Sequence, residues 1–400
     1  MKTLIALLAL LTVSPGVAAT PEEIARNVLA KTPVIDGHND TPHQIAEIFG
    51  RDFSKFDLKG LAPEALAKTH TDIPTARAGF LGGQFWSVYV DAGLPKHEAV
   101  TRTLEQIDVV HQMVARYPDN LTYATTVAEV EAAMKQGKIA SMIGMEGGHS
   151  IGSSLGILRE MYAAGARYMT LTHSLTTDWA DSATDAPKHD GLSPFGFEVL
   201  AEMNRLGMIA DLSHVSEATM HDVLDKTKAP VLFTHSNARA ITAHPRNVPD
   251  SVLKRLPQNG GVVMVTFVVG FSSAKRRQWD IEQAGVAARA KAEHNGDPVR
   301  EKAAVDDWTT VNARPKATIA DVADHIDHIR KVAGIDHIGI GGDFGGVPEL
   351  PEGLQDVSTY PALFNELARR GYSKGDLAKI AQGNVLRVMR ATEAAAAKLR

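Results

Sequence analysis

The chain repeats one pattern eight times: a short apolar run, then a stretch with helical periodicity or a long connection. These runs contain too few polar residues for a sheet with one face in water, so each strand should be buried on both faces. Buried strands that alternate with helices form parallel sheets. The pattern therefore predicts an α/β fold, a closed (β/α)8 TIM-type barrel. The rival, an open doubly wound sheet, gathers ligands only at a switch point.

The pattern assigns most of the chain to one domain, 20–400. The predicted strands are 34–37, 84–90, 139–146, 167–173, 208–214, 230–235, 261–267 and 337–343. Helices are predicted at 21–31, 96–117, 155–164, 195–206, 217–226 and 318–333, with two or three more between 361 and 399. The stretch 41–83, with scattered Gly and Pro, is interpreted as a long loop. The charged, Ala-rich stretch 272–314 is interpreted as a helical insertion.

Most of these strands end in a residue that can bind a metal ion or carry a proton. A barrel brings the C-terminal ends of its strands to one mouth, so these side chains should meet there. His38 and Asp40 are two residues apart on one strand and can face the same ion. The full set of strand-end residues is His38, Asp40, Glu146, His173, His214, His235 and Asp343.

Each of these residues alone is usually a hydrogen-bonded strand end or a loop cap. Burying the whole set at one mouth, however, requires compensating positive charge. Nearby basic side chains are few, and imidazole with carboxylate suits Zn²⁺ and similar divalent ions. Two such ions bridged by a carboxylate would share a water and favour hydrolysis. The set therefore predicts a metal site at the C-terminal mouth of the strands.

Composition and the N-terminus restrict the location and partners of the protein. Residues 1–19 have a basic start, an apolar run at 4–11 too short to span a bilayer, and small residues at 17–19, which is typical of a cleavable signal peptide. We therefore expect export, to the periplasm or the medium. No second long apolar segment follows, so stable membrane insertion after cleavage is not expected. A net charge of −5 argues against a nucleic-acid partner.

The chain contains no cysteine, so disulfides are excluded and any metal must be held by His and carboxylate side chains. Seven motifs surround the strand-end residues: VIDGHND (34–40), EGGHS (146–150), LTHS (171–174), DLSH (211–214), THS (234–236), RNVPD (246–250) and GGDF (341–344). In combination they resemble the membrane (renal) dipeptidase family of the amidohydrolase superfamily. The resemblance extends from about residue 32 to 390.

The resemblance implies a zinc-dependent dipeptidase that cleaves free dipeptides, including those with a C-terminal D-residue, through a metal-bridging hydroxide. It implies two Zn²⁺ ions, bridged by Glu146 and a water or hydroxide. His38 and Asp40 would bind one ion. His214 and His235 would bind the other. Members of the family are often dimeric, so a homodimer is expected.

Three further roles are implied by the same motifs. His173 matches a histidine at the scissile carbonyl, Arg246 an arginine that pairs with the substrate's C-terminal carboxylate, and Asp343 the carboxylate that shuttles the proton. The chain departs from the mammalian pattern after Asp343, where Gly345 stands in place of an aspartate. His43, His149 and His244 match no ligand role and are interpreted as structural.

Two other functions are compatible with parts of the sequence. Another binuclear amidohydrolase, an N-acyl-D-amino-acid deacylase or a lactonase, would keep the metal ligands without needing Arg246. A non-catalytic periplasmic binding protein would be expected to have lost a ligand or Asp343, and the chain retains them. Without the resemblance, Arg246 would be interpreted as a surface arginine paired with Asp250.

Overall fold

The computed structural model describes residues 19–399. The expected signal peptide, except for its last residue, lies outside this range. Within it the strands are β1 (Val34–Asn39), β2 (Leu81–Tyr89), β3 (Leu121–Tyr123), β4 (Ile139–Glu146), β5 (Ala166–Thr170), β6 (Ile209–Asp211), β7 (Leu232–Phe233), β8 (Val262–Val265) and β9 (Ile338–Ile340).

Helices alternate with these strands along the described chain. They are α1 (Pro21–Leu29), α2 (Thr41–Phe49), α3 (Pro63–Thr69), α4 (Ile73–Ala78), α5 (Lys96–Arg116), α6 (Val127–Lys135), α7 (Leu155–Ala163), α8 (Pro194–Leu206), α9 (Glu217–Lys226), α10 (Asp250–Leu253), α11 (Leu256–Asn259), α12 (Val269–Ser272), α13 (Ala274–Glu293), α14 (Pro298–Val311), α15 (Ile319–Val332), α16 (Tyr360–Arg369), α17 (Lys374–Ala378) and α18 (Asn384–Leu399). Helices α13 and α14 occupy the stretch interpreted as an insertion.

Eight parallel strands close into a barrel in the order β1, β2, β4, β5, β6, β7, β8 and β9, and β9 pairs with β1 through Asp36 and Ile340. This confirms the predicted (β/α)8 fold. Strand β3 was not predicted. It pairs with the start of β4, from Ile139, whereas β5 pairs with β4 from Ile143 onward, so β3 lies beside the base of the barrel.

The interpretation of residues 41–83 as a long loop was wrong, because helices α2, α3 and α4 lie there. Each has a proline in its first turn: Pro42, Pro63 and Pro74. Proline fits the first turn because the amide hydrogen it lacks has no partner inside the helix at that position. These prolines mark helix starts, and the sequence analysis took them for breaks.

The alternation along β4 explains how a carboxylate reaches the barrel interior. Ala140 and Met142 pack in the apolar cluster inside the barrel, and Glu146 has the same parity, so it faces inward at the top. Gly144, between them, leaves room for the ring of Tyr168. A Cβ atom at Gly144 would lie 2.0 Å from that ring. The interior is therefore apolar below and polar at the mouth.

A β-bulge redirects the end of β1. Asp36 pairs with Gln84 and Asn39 with Trp86. Between these two pairs β1 advances by three residues and β2 by two. A bulge of this kind changes the direction of the side chains that follow it. His38 lies within the bulge and faces the other donors at the mouth, as described below.

No helix within residues 19–399 is both long enough and apolar enough to cross a bilayer.

The loop after β9 packs tightly against Thr234, which follows β7, and this contact is testable. A Cβ atom at Gly341 would lie 1.8 Å from the carbonyl oxygen of Thr234. Gly341→Ala should therefore destabilise the protein by about 1–3 kcal/mol, since backbone atoms must shift. Gly285→Ala is the control. Gly285 lies inside α13 with nothing within 4 Å of its Cβ position, so alanine should stabilise by about 0.5–1 kcal/mol. Urea unfolding midpoints would measure both, and equal midpoints would refute the packing argument.

Candidate metal centre

The structure brings together all the residues that the sequence analysis placed at the mouth. A cavity of about 310 Å³ opens there. Seven of its lining residues were singled out from sequence: Asp40, Glu146, His173, His214, His235, Arg246 and Asp343. His38 lies buried at the edge of the same group, with its Nε2 atom 3.4 Å from Glu146 Oε2.

Glu146 lies at the centre of the cluster, and its two oxygens face different partners. Oε2 is 3.4 Å from Nε2 of His38, which in turn lies 3.4 Å from Oδ2 of Asp40. Oε1 faces the other side, 3.1 Å from His214 Nε2 and 3.4 Å from His235 Nε2. His173 Nε2 is more distant, 3.7 Å from Oε1. One carboxylate thus joins two donor groups.

These separations suit shared coordination of a metal. Ligands held about 2.0–2.1 Å from a tetrahedral zinc ion lie about 3.3–3.4 Å from one another. The donor atoms form three overlapping groups in which all members lie within 4.8 Å: His38, Glu146 and His235; Glu146, His173 and His214; and His38, Asp40 and Asp343.

Hydrogen bonding defines which nitrogen of His38 faces the cluster. The hydroxyl of Tyr168 donates to the carbonyl of Gly37 at 3.1 Å, so its oxygen must accept from Nδ1 of His38 at 3.0 Å. Nδ1 therefore carries a proton and Nε2 is the atom that faces Glu146 and Asp40. Among the described residues Nε2 has no hydrogen-bond partner.

His235 is oriented in the same way by a different relay. The Thr234 hydroxyl donates to the buried carboxylate of Asp211 at 2.7 Å, so its oxygen accepts from Nδ1 of His235 at 3.0 Å. A second hydroxyl, of Thr170, donates to the same oxygen of Asp211 at 2.5 Å. Nε2 of His235 is again the atom left for the cluster. Such outer hydrogen bonds are typical of histidine metal ligands.

The charges of the cluster are those of a site that needs a cation. Burial, with the nearby Arg246 charge, lowers the pKa values of His214 and His235 well below their usual range, so both rings are neutral. Burial alone would also lower the pKa of His38. The phenol oxygen of Tyr168 and the Glu146 and Asp40 carboxylates outweigh it and raise that pKa well above its usual range. A proton on Nε2 and a metal ion compete for the same lone pair. The donors therefore fit a bound divalent metal.

Asp343 and His214 follow their strands in an unusual backbone conformation. Their φ angles are +63° and +69°, in the left-handed region that costs a non-glycine residue energy. Both lie past the observed strand ends, since β9 ends at Ile340 and β6 at Asp211. Burial, reinforced by Asp40 and Glu146, raises the pKa of Asp343 well above its usual range.

Arg246 is a buried cation on the wall of the cavity, not a surface residue paired with Asp250. Its exposed fraction is 3%, and Asp250 instead accepts from Nε2 of His328 at 2.7 Å. The guanidinium lies 5.3 Å above the ring of Phe271 and donates to the carbonyl of His235 at 3.3 Å. Its Nε has no partner within the described residues, and burial lowers the pKa of Arg246 to about 10. Such a guanidinium is available to an anion.

Sequence reasoning missed several residues that line the cavity. Tyr89 ends β2, and its ring lies 4.8 Å from that of His173. The argument that residues at the C-terminal ends of strands meet at the mouth could therefore have found it. The others follow β1, β8 and β9; His43 was interpreted as structural in the sequence analysis, and no chemical signal marks the rest. These other residues are His43, Gln44, Val268, Phe271, Gly345, Gly346 and Val347.

The histidines interpreted as structural have distinct surroundings. His43, which lines the cavity, packs edge-on against Tyr89 at 5.1 Å. His149 contacts the carbonyl of Val90 through Nε2 at 3.1 Å. His244 accepts from the backbone amide of Arg246 at 3.1 Å and so shapes the loop that carries this arginine.

A parallel barrel with imidazole and carboxylate donors at its mouth is the arrangement of a metal-dependent hydrolase. The chain belongs to the membrane dipeptidase family, peptidase family M19, whose model matches residues 22–400. This confirms the resemblance found in the sequence motifs.

Solved structures share the fold over nearly the whole chain. The probable dipeptidase PvdM from Pseudomonas aeruginosa is 23% identical, covers 94% of this chain and 99% of its own, and has a TM-score of 0.77. A metallopeptidase from Rhodobacter sphaeroides, liganded with a phosphinate mimic of the dipeptide L-Ala-D-Ala, is 24% identical, with coverages of 90% and 99% and a TM-score of 0.73. Dipeptidase AC, a metallopeptidase of family M19, is 25% identical, with coverages of 90% and 98% and a TM-score of 0.70.

The Tyr168 relay makes a prediction about metal affinity. Tyr168→Phe removes the oxygen that accepts from His38 Nδ1, so the ring loses its orientation and zinc should bind about 10- to 100-fold more weakly. Competition with a chromogenic chelator would measure this. Tyr123→Phe is the control, because it loses only a bond to the carbonyl of Ala164, far from the mouth. Equal zinc affinity in the wild type and the Tyr168 variant would show that the relay does not matter.

Proposed function

We propose that this protein is a binuclear zinc dipeptidase that hydrolyses the peptide bond of free dipeptides, including those with a C-terminal D-residue. The observation that carries the proposal is the buried Arg246 on the wall of the cavity that contains the metal donors. A carboxylate bound by Arg246 would place the neighbouring peptide bond beside Glu146. In a longer peptide, a neutral amide would replace that carboxylate.

The arrangement around Glu146 supports two ions rather than one. Its Oε2 faces His38, whose Nε2 also lies 3.4 Å from Asp40, and its Oε1 faces His214 and His235. We assign the first pair to one zinc and the second pair to the other, with Glu146 bridging them. When bound, such a pair would lower the pKa of a shared water and polarise the peptide carbonyl.

The remaining polar residues act on the substrate. Arg246 orients the C-terminal carboxylate. His173 has the most exposed side chain of the four clustered histidines, at 19%, which suits a donor that contacts the substrate carbonyl as negative charge develops on its oxygen. Asp343 accepts a proton from the attacking water and returns it to the leaving amine.

Another binuclear amidohydrolase is the alternative. A lactonase would use the same metal donors, but a lactone has no free carboxylate for Arg246 to bind. The sequence analysis did not require Arg246 for an N-acyl-D-amino-acid deacylase, but the substrate of such an enzyme does carry a free carboxylate that Arg246 can bind. It lacks the free amine of a dipeptide, so acetylated and free substrates separate these two functions. A non-catalytic binding protein is the weakest alternative, because every donor residue is present. Export and a homodimer stay predictions of the sequence analysis.

The proposed roles of Glu146 as the metal bridge and of Asp343 as the proton shuttle can be tested with isosteric variants. Glu146→Gln removes charge from both donor groups, so bound zinc and turnover should fall together. Asp343→Asn should leave zinc content near that of the wild type while kcat falls by about two to four orders of magnitude, since only the proton shuttle is lost. Metal analysis with single-turnover kinetics would measure both. Two tightly held zinc ions in an active Glu146 variant would refute the bridge.

Arg246→Met tests the substrate class. The ion pair between Arg246 and the substrate carboxylate should contribute about 2–4 kcal/mol to transition-state binding. Without it, kcat/KM for L-Ala-D-Ala should fall roughly 30- to 1000-fold. L-Ala-D-Ala amide, already a poor substrate, should be little affected. Arg159→Met, which removes an exposed pair with Glu202, serves as the control. Equal losses on acid and amide, or faster cleavage of N-acetyl-D-Ala than of the dipeptide, would overturn the dipeptidase proposal.

A further inference from the structure

Two walls of the cavity are connected through the helical insertion. We propose that Arg276 of α13 is a positioning residue: it holds the rim segment, residues 345–350, against α13 and so sets which C-terminal side chain the substrate can carry. The inference deepens the proposed function and rests on it for the identity of the substrate.

The first wall leads directly into α13. Val268 and Phe271 line the cavity, and α13 begins three residues after Phe271. The carbonyl of Phe271 accepts from Nδ2 of Asn247 at 2.9 Å, and its ring lies beneath the Arg246 guanidinium. This wall therefore has a fixed position relative to Arg246, which binds the substrate carboxylate in the proposed function.

The second wall is the rim segment, in which Val347 lines the cavity. Its near end is held at Gly345, whose amide donates to Nδ1 of His70 at 3.1 Å and whose carbonyl accepts from Nε2 of Gln44 at 2.7 Å. Its far end is held at Glu349, which accepts from Arg276 at 2.8 Å. Val347 lies between these two attachments.

Arg276 is well placed to act as a brace. Its side chain is only 3% exposed, and its Nε atom donates to Asp280 at 2.8 Å while Nη1 donates to Glu349. A buried guanidinium with two carboxylate partners has little freedom to move. Arg314, which follows α14, reaches the same Glu349 carboxylate at 3.1 Å.

Trp279 connects the two arms of the insertion, which are α13 and the segment of α14 with the residues that follow it. Trp279 of α13 lies 5.8 Å from the Arg276 guanidinium and 5.5 Å from that of Arg314. Its indole nitrogen donates to the carbonyl of Asn312 at 2.9 Å, and its ring lies 5.3 Å from that of Trp308. Both arms of the insertion therefore converge on one carboxylate of the rim segment.

The chemistry of the gap between the walls indicates what it would select. With the substrate carboxylate on Arg246, the C-terminal side chain extends between Phe271 and Val347. These residues, with Val268, are apolar, so the gap suits a small apolar side chain. The contacts of that side chain depend on the width of the gap. Weakening the brace should loosen the wall without touching the metal donors.

The test is Glu349→Gln, which keeps the shape of the side chain and removes the charge. We expect KM for L-Ala-D-Ala to rise about three- to tenfold with kcat and zinc content unchanged, because ground-state contacts are lost and no reacting group is moved. The preference for L-Ala-D-Ala over L-Ala-D-Phe in kcat/KM should fall by a similar factor. Glu352→Gln is the matched control. Glu352 lies three residues after Glu349, and its substitution removes an exposed pair with Lys316.

Hydrogen exchange of the rim segment gives a second readout that does not depend on turnover. Amides of residues 345–350 should exchange faster in the Glu349 variant than in the wild type and the Glu352 control. Unchanged exchange, or a kcat loss with unchanged selectivity, would overturn the brace. If the wild type fails to cleave dipeptides, the proposed function falls and the selectivity claim falls with it. The exchange comparison still decides whether the ion pairs of Glu349 with Arg276 and Arg314 hold the rim, and Arg314→Met, which keeps the Arg276 pair, separates the two: slow exchange in that variant supports Arg276, and fast exchange overturns it.

Discussion

The burial of one carboxylate, Glu146, determines how the mouth of this barrel is built. Removing a charge from water is costly unless partners compensate it. Here the partners are four imidazoles that lie in or just after four other strands, and relays through Tyr168 and Thr234 turn Nε2 of two of them toward the same carboxylate. Without a metal ion, the raised pKa of His38 means that a proton on its Nε2 supplies positive charge, and a metal ion would compete for that position. The arrangement of the donors therefore suits a bound metal ion.

The rest of the fold supplies the close contacts that this cluster needs. Gly144 makes room for the Tyr168 ring, and Gly341, directly after the last strand, lets the chain approach Thr234 closely. The bulge in β1 places His38 among the other donors. Each of these features lies in the polypeptide backbone, below or beside the donors. The geometry of the site thus depends on these close backbone contacts as well as on the segments after the strands that carry His214 and Asp343.

The agreement between sequence and structure is uneven for a physical reason. Strand β4 was bounded correctly from its apolar run, because a strand buried on both faces has a clear hydrophobic signature. The strands before His214, His235 and Asp343 were predicted too long, since their last residues leave the ladder to form the mouth. The helices in 41–83 were missed because proline at a helix start and proline in a loop look alike in a sequence.

The sequence by itself determined the barrel and its set of donors, because both depend on periodicity and residue type, which are local properties. It also identified Arg246, through its motif. Only the tertiary structure decided which nitrogen of His38 and His235 faces the cluster, that the two oxygens of Glu146 face different partners, and that Arg246 is buried beside Phe271. The contact of Arg276 with Glu349 joins residues 73 positions apart. Such contacts depend on how distant segments pack, and no local pattern encodes that packing.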